Sequence, residues 1–543
     1  MNAKPDPSNV PSTGLGTAGP HDPEHDLTAS YALDPGYVRA LTDRVVASTG
    51  ESVATYCPFS GQPLAMIPQS NGVDIADAYQ RARRAQQAWA ATSVDERVEK
   101  MLALHDLILD RQSEIVDLIC WESGKARKHA FDEPLHVAMT ARYYARTAHE
   151  YLDSARKVGV VPGLTRVEVN RLPKGVVGII SPWNYPFTMA LSDGLPALMA
   201  GNAVVQKPDA QTMLSALLGV QLLEEAGFPK DLWQIVAGPG RELGSDIINR
   251  ADYICFTGST ATGRLIAKQS AENLIGCSLE LGGKNPMLVL RDAGLDRAAE
   301  GAVRASFSSG GQLCVSMERM FVADQIYDRF VDRFVERTKA MRLGAGLEWG
   351  SDMGSMISQD QLDTVIAHVD DAVAKGARVL TGGKARPDLG PYYYEPTILE
   401  GVTPDMTCFG NETFGPVVAL YRFHDEADAI ARANAGEYGL NASIYSQNAK
   451  RARVIARQIK CGTVNINEAF GATFASIDTP MGGMRESGLG RRQGSEGIHR
   501  YTEVQTVGTQ RLIRFSPMLG MSDETYGKLM TANLRLMRRI GRR

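Results

Sequence analysis

Cys314 has the surroundings that a cysteine nucleophile needs. It lies in the segment SSGGQLCVS, three residues after Gly311, and the missing side chains of Gly310 and Gly311 let a substrate or cofactor approach the backbone closely. A thiol attacks as the thiolate, so a reactive cysteine needs solvent access and a lowered pKa, whereas most cysteines are buried and inert. We therefore take Cys314 as the candidate nucleophile, with a structural role as the alternative.

The remaining cysteines indicate no second chemistry. None of them forms a C-x-x-C pair, which argues against a disulfide framework or a structural zinc site. They are scattered along the chain as Cys57, Cys120, Cys255, Cys277, Cys408 and Cys461. Reduced thiols are the default expectation.

Two polar residues in apolar segments are candidates to assist a nucleophile. Glu280 lies in LELGGKNP, where a carboxylate between leucines is costly unless it is paired or partly protonated. A raised pKa would suit it to proton transfer near neutral pH. Asn184, in SPWNYPF, could stabilise an oxyanion through its amide. A backbone-bound glutamate and an asparagine that shapes the turn before Pro186 are the alternatives.

Two glycine-containing turns and one lysine predict a nucleotide site. The segment GPGRELG follows a predicted strand, but it misses the spacing of a dinucleotide fingerprint by one residue. Gly258 and Ser259 could begin a helix whose free N–H groups face a pyrophosphate. Lys207 ends another predicted strand, where α/β sheets bind ligands. Each feature alone also fits a tight turn or a solvated lysine, but two such turns in consecutive units favour a nucleotide.

Alternating strands and helices must position these residues. Helical periodicity covers about 73–90, 94–122 and 131–152. From about Val167, short β-branched runs alternate with helix-length segments, and a second such series runs from about 285 to 470. We predict an α/β fold of two doubly wound parallel-sheet domains with a boundary near residue 282. In the first series we expect strands over 175–181, 203–208, 232–238 and 253–258.

The overall composition excludes several classes of protein. The 543 residues carry 58 basic and 62 acidic side chains, which gives no electrostatic reason to bind nucleic acid, and 44% hydrophobic residues exclude wholesale disorder. No apolar run reaches the ~18 residues that span a bilayer. The first thirty residues lack the pattern of a secretory signal, so we expect a cytoplasmic protein.

Residues 511–543 differ from the rest of the chain in charge. They carry eight basic and two acidic side chains, and the apolar residues among them fall roughly on one helical face. Those apolar residues are Tyr526, Leu529, Met530, Leu536, Met537 and Ile540. A basic amphipathic helix can lie on an anionic membrane. We favour packing on a neighbouring subunit or a solvated end over membrane contact.

Together these segments resemble the aldehyde dehydrogenase superfamily over roughly residues 45–508, and they look most like actinobacterial succinic-semialdehyde dehydrogenases. The resemblance rests on ESGK (122–125), PWNYP (182–186), KP (207–208), FTGS (256–259), LELGGKNP (279–286), GQLC (311–314), NETFGPV (411–417) and PMGGMRESGLGR (480–491).

The resemblance implies a mechanism and a set of binding residues. The Cys314 thiolate would attack an aldehyde, the Asn184 amide and the Cys314 N–H would hold the oxyanion, and Glu280 would activate the water that cleaves the thioester to a carboxylate. No metal is required. The residues implied to bind an NAD(P) cofactor are Trp183, Lys207, Gly240, Gly258, Ser259, Leu281, Glu412 and Phe414.

The resemblance also implies a division of the chain. Residues 1–44 would be a flexible tail, residues 511–543 a basic amphipathic tail, and the protein a homodimer or homotetramer. The NAD(P)-binding domain would comprise 45–157 and 174–282, the catalytic domain 283–480, and a small oligomerisation hairpin the strands 158–173 and 492–508.

Ala210 departs from one family pattern. Relatives that strongly prefer NAD often carry a glutamate at this position, three residues after the lysine that matches Lys207. A carboxylate there would repel the extra phosphate of NADP, whereas alanine does not. We therefore predict that NADP is accepted and preferred, with NAD possible.

The substrate residues depart further. Many succinic-semialdehyde dehydrogenases hold the substrate carboxylate with two arginines, at positions that are Ser192 and Ser308 here. Ser476 still fits the pattern, and Arg127 or His136 could supply the missing donor. Ser316 replaces a second cysteine of some relatives, so a disulfide switch is not available here.

We predict oxidation of succinic semialdehyde to succinate, with a broad-specificity or fatty or aromatic aldehyde dehydrogenase as the alternative. The missing arginines and the basic tail favour that alternative. A CoA-acylating enzyme is disfavoured because such enzymes usually lack the glutamate at position 280. A cysteine hydrolase would have no use for Lys207 or Glu412, and no histidine lies in the candidate segments to serve as its base. A silent binding protein would not need Cys314, Glu280 and Asn184 together.

Overall fold

The computed structural model describes residues 33–160, 165–510, 516–518 and 520–541. The chain divides into two compact units. The first contains residues up to Tyr151 and Pro173–Thr502, and the second contains Leu152–Leu172 and the residues from Glu503 onward. No helix among the described residues is long and apolar enough to cross a membrane.

The chain begins with a hairpin and a group of helices. Their bounds are α1 (Pro35–Thr42), β1 (Ser52–Tyr56), β2 (Pro63–Pro68), α2 (Gly72–Ala90), α3 (Val94–Asp110), α4 (Gln112–Ser123), α5 (Arg127–Ala130) and α6 (Asp132–Leu152). The predicted helix over 94–122 is two helices, because the backbone at Arg111 leaves the helical region (φ −102°, ψ 19°).

Helix α1 corrects the prediction that residues 1–44 form a flexible tail. Asp34 caps it by accepting from the Tyr37 N–H at 2.9 Å, and Leu33 and Leu41 are each 1% exposed. The cap and the burial of two leucines stabilise this helix. Residues 1–32 lie outside the described part of the chain.

The first α/β series follows two strands of the second unit, β3 (Ala155–Val158) and β4 (Thr165–Pro173). It comprises β5 (Val176–Ile180), α7 (Pro186–Leu191), α8 (Gly194–Met199), β6 (Ala203–Lys207), α9 (Met213–Glu225), β7 (Trp233–Ile235), α10 (Gly240–Arg250), β8 (Tyr253–Thr257), α11 (Thr260–Glu272) and β9 (Gly276–Glu280). These strands pair in parallel in the order β9-β8-β5-β6-β7. All four strands predicted for this series are present, and their carboxyl ends meet at one edge of the sheet.

The second α/β series forms a seven-stranded sheet. It comprises β10 (Asn285–Val289), α12 (Leu295–Phe307), β11 (Met317–Ala323), α13 (Tyr327–Lys339), α14 (Gln359–Ala374), β12 (Arg378–Thr381), β13 (Thr397–Glu400), α15 (Thr407–Gly410), β14 (Val417–Phe423), α16 (Glu426–Asn434), β15 (Asn441–Tyr445), α17 (Ala449–Ala456), β16 (Thr463–Ile466) and α18 (Gly471–Phe474). The order is β12-β13-β14-β11-β10-β15-β16, with β12 antiparallel to its neighbour. Helices that pack on a parallel sheet bury its strands. Accordingly, every residue of β10 and β11 is buried.

The C-terminal part returns to the first sheet before it enters the second unit. Its elements are β17 (Gly488–Leu489), α19 (Gly494–His499), β18 (Thr502–Gln510) and α20 (Asp523–Arg539). Strand β17 pairs antiparallel with β9, opposite Glu280, and β18 joins β4 and β3 in a three-stranded sheet. The strand was predicted over 492–508, but it begins at Thr502, because residues 494–499 form helix α19.

Candidate active site

Cys314 follows a tight left-handed turn that contains two glycines. Ser309, Gly310 and Gly311 have φ values of 52°, 66° and 70°, a left-handed backbone that favours glycine. A Cβ on Gly311 would lie 2.0 Å from the carbonyl oxygen of Gly415. The glycine therefore lets two protein segments approach each other, whereas the sequence predicted approach of a ligand.

Asn285 fixes the backbone that follows the nucleophile. Its Nδ2 donates to the carbonyl oxygens of Cys314 and Ser316, each at 2.7 Å. This paired donation holds the 314–315 and 316–317 peptide groups in one orientation. Asn285 was not singled out in the sequence, although it belongs to the LELGGKNP segment.

Cys314 lines a cavity of about 240 Å³, which we call the catalytic cavity. All seven cysteines are free, and only Cys277 and Cys314 are partly exposed. Cys277 does not line the catalytic cavity. Burial, reinforced by the carboxylates of Glu412 and Glu280, raises the pKa of Cys314 to about 12. The thiol is therefore protonated at neutral pH until a positive charge or a base favours the thiolate.

Glu280 lines the same cavity at the carboxyl end of β9. Its side chain is buried, and Oε1 has no hydrogen-bond partner among the described residues. Burial raises the pKa of Glu280 to about 7, and the nearby Arg492 guanidinium opposes that rise. An unpaired carboxyl oxygen with this pKa can take a proton from water near neutral pH.

Asn184 also lines the catalytic cavity, beyond the end of β5. Its Nδ2 donates to the carbonyl oxygen of Gln312 at 3.0 Å. Because an amide nitrogen carries two hydrogens, this bond orients the group and leaves one hydrogen to donate elsewhere. Cys314, Glu280 and Asn184 therefore all line one cavity.

Most of the residues predicted to hold a cofactor line the cavity as well. These are Trp183, Gly258, Ser259, Leu281, Glu412 and Phe414. Ser259 caps α11, so the free N–H groups of that helix begin where the sequence placed them. Burial raises the pKa of Glu412 to about 8, and its Oε1 accepts from the Gly283 N–H at 2.7 Å.

Phe414 is held in a strained backbone conformation by a buried ion pair. Its φ is 52°, and its N–H donates to Glu318 Oε1 at 3.0 Å. Glu318 is paired in turn with Lys284, and both side chains are buried. The Phe414 ring meets Trp183 edge-on with centroids 5.5 Å apart. Lys284 and Glu318 were missed in the sequence because no spacing rule relates a lysine before β10 to a glutamate in β11.

Lys207 and Gly240 lie beside each other outside the residues that line the catalytic cavity. A Cβ on Gly240 would be 4.0 Å from Lys207 Cε. The Lys207 Nζ donates to the Pro208 carbonyl oxygen at 3.3 Å, and burial lowers its pKa. Lys207 ends β6 and Gly240 begins α10. The sequence predicted a nucleotide at these two positions.

A buried cluster of charges that the sequence did not predict adjoins Glu280. Asp193 accepts from Arg500 Nη2 at 2.6 Å and from Arg492, which itself lines the catalytic cavity. Burial alone would raise the pKa of Asp193, but the two guanidinium groups hold it at about 2. Two cations thus share one carboxylate, and an ionised Glu280 would balance the remaining positive charge.

The predicted substrate residues are not arranged as a cationic site. His136 is buried, stacks on Phe474 with centroids 4.4 Å apart, and has its pKa lowered to about 3 by burial and the Arg492 charge, so it is neutral. Its Nδ1 bonds Ser192 Oγ at 3.1 Å. Arg127 is paired with Asp117 and lines neither the catalytic cavity nor the one beside it.

Ser308 and Ser476 use their hydroxyl groups locally. Ser308 Oγ donates to the Arg304 carbonyl oxygen at 2.7 Å. Ser476 is exposed, donates to the Ala472 carbonyl oxygen at 2.6 Å and does not line the catalytic cavity. Neither serine has a free donor that the structure directs toward Cys314.

A second cavity of about 80 Å³, which we call the adjoining cavity, shares four lining residues with the catalytic cavity. The shared residues are Tyr185, Leu313, Val315 and Phe474. Its cation is Arg304, half exposed and 3.3 Å from Glu468. Arg304 lies in the last turn of α12, four residues before Ser308, which ends the helix.

Comparisons with known proteins agree with this geometry. The profile of the aldehyde dehydrogenase family matches residues 45–507. A Mycolicibacterium smegmatis protein named as a succinate-semialdehyde dehydrogenase of the NADP(+) type is 49% identical over 482 residues, which are 89% of this chain and 93% of that protein. A 3-sulfolactaldehyde dehydrogenase of Pseudomonas putida is 36% identical over 85% of this chain and 94% of that protein.

Solved structures are similar over most of their length. A succinate-semialdehyde dehydrogenase of Burkholderia pseudomallei has a TM-score of 0.82 and 33% identity, covering 86% of this chain and 96% of that one. A betaine aldehyde dehydrogenase of Staphylococcus aureus in complex with NAD+ has a TM-score of 0.83 and 30% identity, covering 88% and 95%. The chain belongs to the aldehyde dehydrogenase family.

Proposed function

We propose that this enzyme oxidises an aldehyde to a carboxylate, with Cys314 as the nucleophile and a nicotinamide dinucleotide as the oxidant. The observation that carries the proposal is that Cys314, Glu280 and Asn184 line one cavity with the residues suited to hold a nicotinamide. A protein that lacked this chemistry would have no reason to keep a glutamate of raised pKa beside a partly exposed thiol.

The first half of the reaction forms a bond to sulfur. The Cys314 thiolate attacks the aldehyde carbon, and the carbonyl oxygen becomes an oxyanion. The free Asn184 amide hydrogen and the Cys314 N–H donate to that oxyanion, which lowers the barrier because both groups are already oriented. When bound, the oxidised nicotinamide supplies a hydride acceptor and a positive charge that favours the thiolate. Loss of the hydride leaves a thioester on Cys314.

The second half of the reaction releases the acid. Glu280 takes a proton from water, and the resulting hydroxide attacks the thioester carbon. The carbon–sulfur bond breaks, the carboxylate leaves and the Cys314 thiolate is restored. Arg492 contributes by favouring the ionised form of Glu280.

The residues around the cavity fit a dinucleotide. The rings of Trp183 and Phe414, which meet edge-on, line the catalytic cavity. Glu412 also lines it and offers a carboxylate for ribose hydroxyls. Lys207, Gly240 and the N-terminus of α11 provide a cation and free N–H groups for phosphates. NADP is the proposed preference, since Ala210 places no carboxylate beside the site and a relative is named for NADP(+).

Succinic semialdehyde is the proposed substrate, and Arg304 is the proposed partner of its carboxylate. The named relatives support the substrate. Since His136 is neutral and Arg127 is paired elsewhere, Arg304 is the cation in the adjoining cavity. A substrate carboxylate would compete with Glu468 for its guanidinium group.

A broad-specificity or fatty or aromatic aldehyde dehydrogenase is the second candidate. The observation that favours it is the apolar wall of the adjoining cavity, which includes Leu135, Phe470 and Phe474. A cytoplasmic homodimer or homotetramer is proposed for either function, with β3, β4 and β18 as the oligomerisation strands.

A substrate panel run with both cofactors tests the function. Succinic semialdehyde, hexanal and benzaldehyde are each assayed by the absorbance of the reduced cofactor, with NADP and with NAD. We expect the highest kcat/KM for succinic semialdehyde with NADP. A preference for hexanal or benzaldehyde would support the second candidate, and no reduction with any aldehyde would refute both.

A further inference from the structure

Helix α20 lies on the C-terminal side of the matched family region and buries none of its residues. Its four large aliphatic side chains are between 57% and 67% exposed, which is costly in water. They are Leu529, Leu534, Leu536 and Ile540 at the helix end. A helix that contributes so little to its own chain needs another surface to cover its apolar side.

The apolar and basic residues of α20 occupy opposite sides. At 100° per residue, the aliphatic side chains together with Tyr526, Met530 and Met537 cover an arc of roughly 160°. The basic side chains fall within roughly 100° centred opposite to that arc. They are Lys528, Arg535, Arg538 and Arg539. The two acidic residues, Asp523 and Glu524, lie in the first turn, where they stabilise the helix N-terminus.

We propose that α20 is a peripheral membrane-binding helix for anionic lipid surfaces. A bilayer interface offers an apolar layer and an anionic layer a few ångströms apart, so both sides of α20 gain a partner at once. Packing on a second copy would cover the apolar arc and, apart from Lys528, which pairs with Glu524, would give the basic side no partner among the described residues. The charge of the tail also supports a lipid surface, since residues 511–543 are strongly basic in a chain with more acidic than basic residues.

Vesicle flotation of the full-length enzyme tests the proposal. Phosphatidylcholine vesicles are compared with vesicles in which one third of the lipid is phosphatidylglycerol, at low and high salt. We expect binding to the anionic vesicles that weakens with salt, and at least about 10-fold weaker binding to the neutral ones. An enzyme that remains unbound with both kinds of vesicle would overturn the proposal.

Variants separate the two faces and the two possible occupants. The pair Leu529→Gln and Leu536→Gln should weaken vesicle binding about 10-fold or more, whereas the matched polar-side change Thr531→Gln should not. Replacing Arg535, Arg538 and Arg539 by glutamine should weaken binding roughly 100-fold. Oxidation of aldehyde should be unchanged in all of them. If the leucine variants instead alter the oligomeric mass in light scattering and leave vesicle binding unchanged, α20 packs on a second copy and the proposal is wrong.

Discussion

The catalytic cavity and the adjoining cavity hold their polar groups in different ways. In the catalytic cavity, Glu412, Asn184 and Arg492 are each fixed by a hydrogen bond or a buried ion pair. In the adjoining cavity, Arg304 lies among aromatic rings, and it forms a half-exposed pair with Glu468, which does not line that cavity. Fixed groups suit the catalytic steps, which are the same for every aldehyde substrate. An ion pair that can exchange partners suits the selection of one aldehyde over another. Changes in the two cavities should therefore have separable effects.

The largest expected effect is the loss of the nucleophile. Cys314→Ala should reduce aldehyde oxidation at least ~10⁴-fold, because the thioester route has no substitute on this chain. The absorbance of reduced cofactor measures it. Cys277→Ala is the matched control, since it removes the other partly exposed thiol, and it should leave the rate unchanged. A rate that survives in Cys314→Ala would refute the thiol assignment.

Glu280→Gln should slow steady-state turnover by about 10²–10⁴-fold and keep a first burst of reduced cofactor, because water activation follows hydride transfer. In the unaltered enzyme the hydrolytic step needs ionised Glu280. Its rate should therefore fall as pH drops below about 7, the pKa of this group. Stopped-flow absorbance across pH separates the two phases. A variant without a burst would place Glu280 before hydride transfer.

Asn184→Ala should lower kcat by about 10²–10³-fold, because one of two oxyanion donors is lost. The effect should be equal for charged and neutral aldehydes, since the oxyanion forms on the carbon that they share. Cofactor binding, followed by quenching of tryptophan fluorescence, should stay within error of the unaltered enzyme. A loss confined to one aldehyde would move Asn184 from catalysis to substrate selection.

Arg304→Gln should act on the charged substrate alone. We expect KM for succinic semialdehyde to rise about 10-fold, which equals about 1.4 kcal/mol, and KM for hexanal to stay unchanged. Glu468→Gln is the complementary variant, and it should lower KM for succinic semialdehyde because it removes the competitor for Arg304. Equal shifts in KM for both aldehydes would indicate that Arg304 has a structural role and does not bind the substrate carboxylate.

Ala210→Glu should have the smallest effect and should leave both cavities unchanged. A carboxylate near the extra phosphate of NADP costs about 1 kcal/mol in high dielectric, so kcat/KM with NADP should fall about fivefold. The value of kcat/KM with NAD should not fall. Steady-state rates with each cofactor measure the change, and an equal loss with both would contradict the proposed position of the phosphate.

The sequence predicted the parts of the molecule that depend on local patterns. Alternating β-branched runs predicted the strands of the first sheet, and the polar residues at their carboxyl ends predicted which side chains meet at Cys314. Contacts between residues that lie far apart in the sequence were not predictable. Strand β17 completes the first sheet from more than two hundred residues away, and Asp193 meets Arg492 across 299 residues. Arg304 was not predicted because it lies four residues before Ser308, the position where the resemblance implied an arginine.

A covalent adduct on Cys314 is the step on which the proposed reaction depends, and mass spectrometry of the protein and its peptides detects it. Glu280→Gln is mixed with succinic semialdehyde and NADP, quenched in acid and digested. We expect one succinyl group for each chain, carried by the peptide that contains Cys314. An unmodified protein, or an adduct on Cys277 instead, would contradict it.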